Sequence, residues 1–469
     1  MIKFGTDGWR AVIADEFTFE NVSVVSQAVA EYIKSEDKLR DGVVIGYDNR
    51  FLSEKFARKA ADVLVSNGIS VYLCEQAVPT PVLSFSVVKH KSFLGIMITA
   101  SHNPYEYNGY KIKMDCGASA SQEITKAIES NLNKVSPLID EKELSNVIYI
   151  NPKNEYIEYV KQIVDFENFK KADFEIIVDN LYGPGAGYIT DILSETAIKV
   201  TEINNYRDPL FGGVNPEPLA QNTPELLEMM QEEKSWRVGI VLDGDADRIA
   251  LVNSQGKFIS AQETFVLLLE YMFAVKKKQG AVAKAFNMTR MLDKLAKKYG
   301  INLIETKIGF KYLATYLINK EVILAGEESG GYGTSMHLPE RDGVFNALLI
   351  IELLALTNKM PEEILQSVMQ EVGSYYYSRI DISTPDSKVK DAVMNSLLSE
   401  TIREFGSIPV KEKIEFDGIK FLLENDGWIL FRTSGTENLL RVYAEGRSED
   451  NLKSILNSGK TYVERFIKT

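Results

Sequence analysis

The chain has 469 residues, 45% hydrophobic and 25% charged, with a formal net charge of −13. Such a composition is that of a globular protein rather than a disordered or fibrous one, and the length allows several domains. The acidic balance argues against nucleic acid or an anionic membrane as the partner of the whole chain, so an anionic ligand must meet positive charge concentrated locally. With only two cysteines, Cys74 and Cys116, and no basic-then-apolar segment in "MIKFGTDGWR", a reducing cytoplasm is the expected location.

In chain order, "DGVVIGYD" from Asp41 predicts a strand, and Ser53 is expected to cap a helix whose face carries Phe56, Ala60 and Leu64. Gly68 can stop that helix before the strand "ISVYLCE", which gives a βαβ unit and a parallel sheet. The apolar run 96–98 then reads as a buried strand leading into "TASHNP". Pro104 keeps Asn103 out of helical geometry and Asn103 suits a turn, so Ser101 and His102 fall at a strand end, where open α/β sheets bind ligands. Alone, such a turn also reads as plain surface structure. A hydrolase elbow, G-x-S-x-G, is excluded because Thr99 and Asn103 stand at the glycine positions.

The same rhythm returns at "DFEIIVDN" and "GPGAGYITDILSE". "GPGAGY" has Tyr188 where a dinucleotide fingerprint needs its third glycine, and no Walker A sequence occurs, so nucleotide binding has little support. In "VGIVLDGDADR" a buried strand runs into Asp243, Asp245 and Asp247. Carboxylates this close repel unless a cation lies among them, and a hard divalent metal suits oxygen ligands. Alternate residues of a strand lie about 6.6 Å apart, far beyond the span of one ion with oxygens at about 2.1 Å, so the segment must curl. An EF-hand would need Gly at 248 and Glu at 254, where Arg248 and Ser254 stand; a solvated acidic turn is the other reading.

"AVAKAF" and "MTRMLDKLAKKYG" continue the alternation of strand and helix up to "AGEESGGYG". Its Glu327, Glu328 and Ser329, on a glycine-shaped loop, suit a polyhydroxylated ligand, although a structural turn reads equally well. The window 344–357 is interrupted by Asn346 and Glu352 and is too short for a bilayer, which predicts a buried amphipathic helix. After Gly373 short β runs alternate with Asp417-Gly418 and Asp426-Gly427, both hairpin signals, between helices over 388–405 and 449–466. In "RTSGTEN", Arg432, Ser434, Gly435 and Thr436 can cradle a phosphate, or form an ordinary hairpin loop. The expected fold class is α/β: three successive α/β domains with mixed sheets, 1–145, 146–250 and 251–370, then an α+β domain with an antiparallel sheet, 371–469.

These four loops in this order, with T-A-S-H-N-P and D-G-D-A-D-R as the specific motifs, resemble the α-D-phosphohexomutase superfamily of phosphoglucomutases and phosphomannomutases over essentially the whole chain. The resemblance implies interconversion of hexose 1- and 6-phosphates through a phosphoserine enzyme and a hexose 1,6-bisphosphate that turns over in the site. It makes Ser101 the phosphoserine and Asp243, Asp245 and Asp247 the ligands that, with the serine phosphate, hold Mg²⁺. Arg10 and Lys111 match positions near the transferred phosphoryl, Lys111 being a candidate base if its pKa is depressed and His102 a hydrogen-bonding neighbour of the phosphoserine. Arg248, Lys311, Glu327 and Ser329 match substrate-binding positions, and Arg432, Ser434, Gly435 and Thr436 match the site for the phosphate that is not reacting.

Departures bear on the sugar. Phe310 and Lys311 replace a histidine frequent in glucose/mannose dual-specificity relatives, Gly331 stands where amino-sugar branches tend to have His, and Ala11 replaces a glycine after Arg10. Glucose phosphates are therefore expected, with some activity on mannose phosphates. Phosphoglucosamine mutase and a catalytically silent sugar-phosphate-binding relative are the alternatives. A monomer or homodimer is expected, with no nucleic-acid or membrane partner.

Overall fold

The computed structural model describes residues 2–5, 7–231, 236–433 and 438–467. The chain divides into two compact units, Met1–Ala283 with Gly309–Glu362, and Lys284–Ile308 with Glu363–Thr469. The first unit opens with a six-stranded sheet in the order Trp9–Val12, Tyr107–Met114, Leu94–Ile98, Val43–Tyr47, Val71–Cys74, Ile148–Ile150. Its last four strands are parallel, whereas Tyr107–Met114 runs antiparallel to both neighbours. Leu94–Ile98 is buried at every position because both faces are covered. Ile96 and Ile98 pack with Phe56, Ala60 and Leu64 on one side, and Met97 packs with Leu83 and Val87 on the other.

Ser53 does not cap its helix. Leu52, in the left-handed region at φ +60°, occupies the cap position of Ser53–Ser66, and Ser53 Oγ donates instead to Asp48 Oδ1 at 2.8 Å. The first sheet also runs past residue 145, since Ile148–Ile150 pairs parallel to Val71–Cys74.

The second sheet has the order Phe258–Ile259, Ile249–Val252, Arg237–Leu242, Glu175–Asp179, Lys199–Ile203. Glu175–Asp179 is parallel to both neighbours, and the remaining pairs are antiparallel, which carries this sheet beyond residue 250. The third α/β region alternates the strands Ala281–Ala285, Leu303–Thr306, Val322–Gly326 and Tyr332–Thr334 with the helices Met291–Tyr299 and Phe310–Ile318.

The helix Gly343–Thr357 is not amphipathic: every residue from Gly343 to Leu354 is buried. The two polar residues that suggested a solvent face are paired inside the protein. Asn346 donates to the carbonyls of Tyr332 and Asp342, and Glu352 accepts from Asn168, Tyr271 and Lys276. No single helix among the described residues is long and apolar enough to cross a membrane.

The second unit holds a wholly antiparallel six-stranded sheet, ordered Tyr376–Ser383, Leu439–Gly446, Trp428–Thr433, Ile419–Leu423, Ile408–Glu415, Glu404–Phe405. Phe405, Phe421, Phe431 and Val442 pack against Ile455 and Val463 of the terminal helix Glu449–Ile467. The helix expected over 388–405 stops at Ser399, and Glu404–Phe405 is a strand. The cause lies in the next two residues: Gly406 and Ser407 both have positive φ, a two-residue turn that pairs Phe405 with Ile408.

Candidate active site

Thr99, Ala100 and Ser101 leave the end of the strand Leu94–Ile98, and Ser101 is 1% exposed with φ +54°. A serine in the left-handed region costs about 1 to 3 kcal/mol, so the surroundings must hold it there. Its Oγ donates to Asp243 Oδ2 at 3.1 Å and stands 3.4 Å from His102 Nδ1. Arg10 Nη1 reaches the same turn, donating to Asn103 Oδ1 at 2.7 Å.

The three aspartates follow the strand Arg237–Leu242 on a loop that does curl, Ala246 taking φ +56° between Asp245 and Asp247. Gly244 lets the two loops touch: a Cβ there would lie 2.5 Å from the Ser101 carbonyl oxygen. All three carboxylates are fully buried and present oxygens within 4.8 Å of one another. Asp243 Oδ1 accepts from the backbone N–H groups of Asp247 and Arg248, whereas Asp245 Oδ1 and Asp247 Oδ1 have no hydrogen-bond partner. Burial and the neighbouring charges of Asp247 and Asp245 push Asp243 well above the usual carboxylate range. Orphaned buried oxygens and mutual repulsion are what a bound hard divalent cation would relieve, so these residues fit Mg²⁺.

Protein cations surround the triad. Lys111 Nζ lies 2.8 Å from Asp245 Oδ2, 2.9 Å from Asp7 Oδ2 and 3.5 Å from Asp247 Oδ2. Burial opposes the lysine's charge, but Asp245, Asp7 and Asp247 outweigh it and raise its pKa, so Lys111 is no depressed-pKa base in this arrangement. Arg248 Nε is 3.7 Å from Asp247 Oδ1 and 3.9 Å from Asp243 Oδ2. Burial, with Arg248, Arg10, Lys111 and Arg341 nearby, holds His102 well below the usual imidazole range and therefore neutral.

On the third loop Ser329 Oγ donates to Glu327 Oε1 at 2.8 Å, so these two expected site residues form one unit. Glu327 Oε1 also lies 3.1 Å from Arg341 Nη1. A Cβ on Gly331 would stand 2.2 Å from Arg341 Cδ, which leaves no room for a side chain there. Lys311 lines a small cavity with Asp7, Gly8 and Ser119. In the second unit Arg432 Nε is 3.3 Å from Asp417 Oδ2, while Ser434, Gly435 and Thr436 lie outside the described residues.

Residues not singled out in the sequence complete the charge balance. Arg341 Nη2 lies 2.7 Å from Asp247 Oδ2 and 2.9 Å from Asp7 Oδ2, so that one buried guanidinium joins the N-terminal segment, the aspartate loop and, through Glu327, the third loop. Glu340 pairs with Lys113 and accepts from Ser119. The available signal was "ERDG", charged residues ahead of a long apolar helix whose N-cap is Asp342, but Asp7 and Asp247, which Arg341 joins, are more than 90 residues away.

A buried serine hydroxyl against a carboxylate triad and a ring of cations, on serial α/β domains, defines a phosphoryl-transfer type of site. Comparison with protein families gives the same class. The models for phosphoglucomutase/phosphomannomutase alpha/beta/alpha domains I, II and III match residues 1–138, 154–256 and 260–372, and that for the C-terminal domain matches 388–458. A crystal structure from Thermus Thermophilus, assigned as a phosphomannomutase, superposes with a TM-score of 0.89 at 32% identity, covering 99% of both chains. A phosphoglucosamine mutase of Methanococcus vannielii is 30% identical over 100% of both chains. A phosphoglucomutase/phosphomannomutase of Thermococcus kodakarensis is 29% identical over 99% of both. The chain belongs to the phosphoglucomutase/phosphomannomutase family. It is a mutase, an intramolecular phosphotransferase.

Proposed function

We propose that this mutase interconverts hexose 1-phosphate and hexose 6-phosphate, with glucose phosphates as main substrates and mannose phosphates as secondary ones, through phosphoserine at Ser101 and a 1,6-bisphosphate. The observation that carries this reading is the Ser101 Oγ to Asp243 Oδ2 distance of 3.1 Å at the edge of the triad. Asp243, Asp245, Asp247 and the serine phosphate would hold Mg²⁺, which when bound neutralises charge on the phosphoryl oxygens. Ser101 gives its phosphoryl group to the free sugar hydroxyl, and takes back the other one after the bisphosphate has turned. Arg10, Lys111 and Arg248 offset the charge of the group in transit, and the buried site strengthens each of these interactions. Lys111, whose proton is held by Asp245, Asp7 and Asp247, acts as a cation here, and the proton of the attacking sugar hydroxyl ends on the Ser101 Oγ that is released. Neutral His102 orients the phosphoserine.

Glu327, Ser329 and Lys311 bind the sugar hydroxyls, and Arg432 with Ser434, Gly435 and Thr436 binds the phosphate that is not reacting. Phosphoglucosamine mutase is the second reading, because relatives with that name match over the full length. Gly331 favours glucose, since amino-sugar branches tend to have His at this position and a Cβ here would meet Arg341 Cδ at 2.2 Å. The test is turnover of glucose, mannose and glucosamine 1-phosphates with a trace of the matching bisphosphate. Highest kcat/KM on the amino sugar would reject the glucose assignment, and no turnover on any would reject the mutase mechanism at Ser101.

A further inference from the structure

The loop that bears Ser101 is held from behind by one side chain. Arg50 is fully buried, and its two terminal nitrogens donate to four carbonyl oxygens: Nη2 to Ser101 at 2.6 Å and Asn103 at 2.6 Å, Nη1 to Pro104 at 2.8 Å and Tyr107 at 2.9 Å. All four acceptors belong to the turn between Leu94–Ile98 and Tyr107–Met114 and to the first residue of the second strand. Arg50 itself is fixed on its other sides. Its Nε lies 3.2 Å from Asp48 Oδ2, its guanidinium stands 4.9 Å from the Phe211 ring centroid, and Arg207 Nη2 donates to its carbonyl at 3.3 Å.

A second chain of bonds reaches the serine from the same carboxylate. Thr99 Oγ1 donates to Asp48 Oδ2 at 2.5 Å and accepts from the Ser101 N–H at 2.9 Å. Asp48 is held by Ser53 Oγ at 2.8 Å and by the Arg50 N–H at 3.0 Å, and Ser53 Oγ accepts from Asn108 Nδ2 at 2.9 Å. Ser101 is thus gripped at its N–H through Thr99 and at its carbonyl by Arg50, on both sides of a left-handed φ that serine disfavours. Fork geometry matters here: a guanidinium offers donors in one rigid plane, which the three donors of an ammonium on a flexible stem do not reproduce.

We propose that Arg50 is a positioning residue for phosphoryl transfer, acting with Asp48 and Thr99 to fix the backbone of Ser101 so that Oγ faces the aspartate triad. This rests on the reading of Ser101 as phosphoryl carrier. The device acts on rate rather than on substrate affinity, because none of its bonds goes to a residue assigned to the sugar or to its distal phosphate. A displacement of the nucleophile by about 1 Å is enough to cost on the order of a hundredfold in rate.

The experiment uses the full chain with Arg50→Lys, Thr99→Val and Thr99→Ser. Each is measured for thermal unfolding, for kcat and KM on glucose 1-phosphate, and for phosphate on Ser101 after exposure to glucose 1,6-bisphosphate. In that last step the bisphosphate passes one phosphoryl group to Ser101 Oγ, and the serine proton goes to the sugar oxygen released. Expected are a fall in kcat on the order of a hundredfold for Arg50→Lys and tenfold or more for Thr99→Val, with KM within about threefold and phosphorylation of Ser101 slowed in parallel. Thr99→Ser, which keeps the hydroxyl, recovers the rate lost in Thr99→Val. Should Arg50→Lys fail to fold, the Thr99 pair decides. Folded Arg50→Lys with wild-type kcat, or Thr99→Val indistinguishable from Thr99→Ser, overturns this inference alone. Wild-type protein that takes no phosphate on Ser101 overturns the phosphoserine reading and this inference with it.

Discussion

Lys111 Nζ stands 2.8 Å from Asp245 Oδ2, although 134 residues of chain separate the two. Thr80 Oγ1 donates to the same oxygen at 2.6 Å. Burial works against the Asp245 charge, yet Lys111 and Thr80 outweigh it and hold this carboxyl below the usual range. Asp245→Asn retains the shape and the Thr80 bond but loses that charge. Turnover should fall on the order of a thousandfold, with the dependence on added Mg²⁺ shifted to higher concentration. Steady-state rates over a magnesium series in chelator-treated buffer check this. Full wild-type activity in the presence of chelator rules out the metal role.

Ser101 should carry phosphate in part of the purified protein, because the mechanism needs a phosphoenzyme as its resting form. Intact mass and peptide mapping measure it. Ser101→Ala should lack the modification and all mutase activity; activity retained in this variant would dismiss the assignment.

Arg341 touches carboxylates from three loops, and removing its charge leaves Asp7, Asp247 and Glu327 without their shared cation. Loss of one partner from a buried pair costs about 3 to 5 kcal/mol, the scale expected for Arg341→Met in urea unfolding. Arg341→Lys keeps a charge without the fork, so it should be less destabilised yet still slower than wild type by on the order of tenfold or more. Equal stability of the wild type and Arg341→Met would mean that the network is not holding these loops.

In the second unit Lys420 Nζ donates to the Phe286 carbonyl at 2.7 Å and lies over the rings of Phe286 and Trp428. Burial lowers its pKa from 10.5 to about 8, against the pull of Glu305. A lysine whose folded pKa lies below its unfolded one subtracts stability while both states are protonated. That penalty is full below pH 8 and fades as the pH climbs toward 10.5. Compared with Lys420→Met, which has no such proton, wild type should therefore gain about 2 to 3 kcal/mol between pH 7 and pH 10. Denaturant unfolding of both proteins, read by tryptophan fluorescence, gives the difference. A gap independent of pH would show that Lys420 titrates normally.

For Arg432 the proposed contact is with a phosphate bound alike in ground and transition states. Arg432→Ala should then raise KM about ten- to hundredfold, the value of a charge-assisted contact of about 1.5 to 3 kcal/mol, and make turnover depend on added bisphosphate. Wild-type KM with no such dependence would remove Arg432, which pairs with Asp417, from the substrate site.

Much was decided by the sequence alone, wherever local chemistry leaves a mark. Runs of β-branched residues ended by Gly or Pro placed the strands beside Ser101 and ahead of Asp243, because period and turn residues act over a few neighbours. Three aspartates at spacing two marked a loop that could hold a cation, since carboxylates brought that close repel one another, and the structure does gather their oxygens within 4.8 Å. Local signals failed where two readings share a pattern. "FGSI" made a two-residue turn inside what read as a helix end, and Asn346 and Glu352 looked like a solvent face while being paired in the core. Only the tertiary structure could assign the long-range partners: Arg341 to Asp7 and Asp247, Lys111 to Asp245, and Arg50 to the Ser101 carbonyl. A charged residue carries no sign of its partner in its neighbours along the chain. Its pairing is set when distant strand ends are brought to one edge and the desolvated charges must neutralise one another.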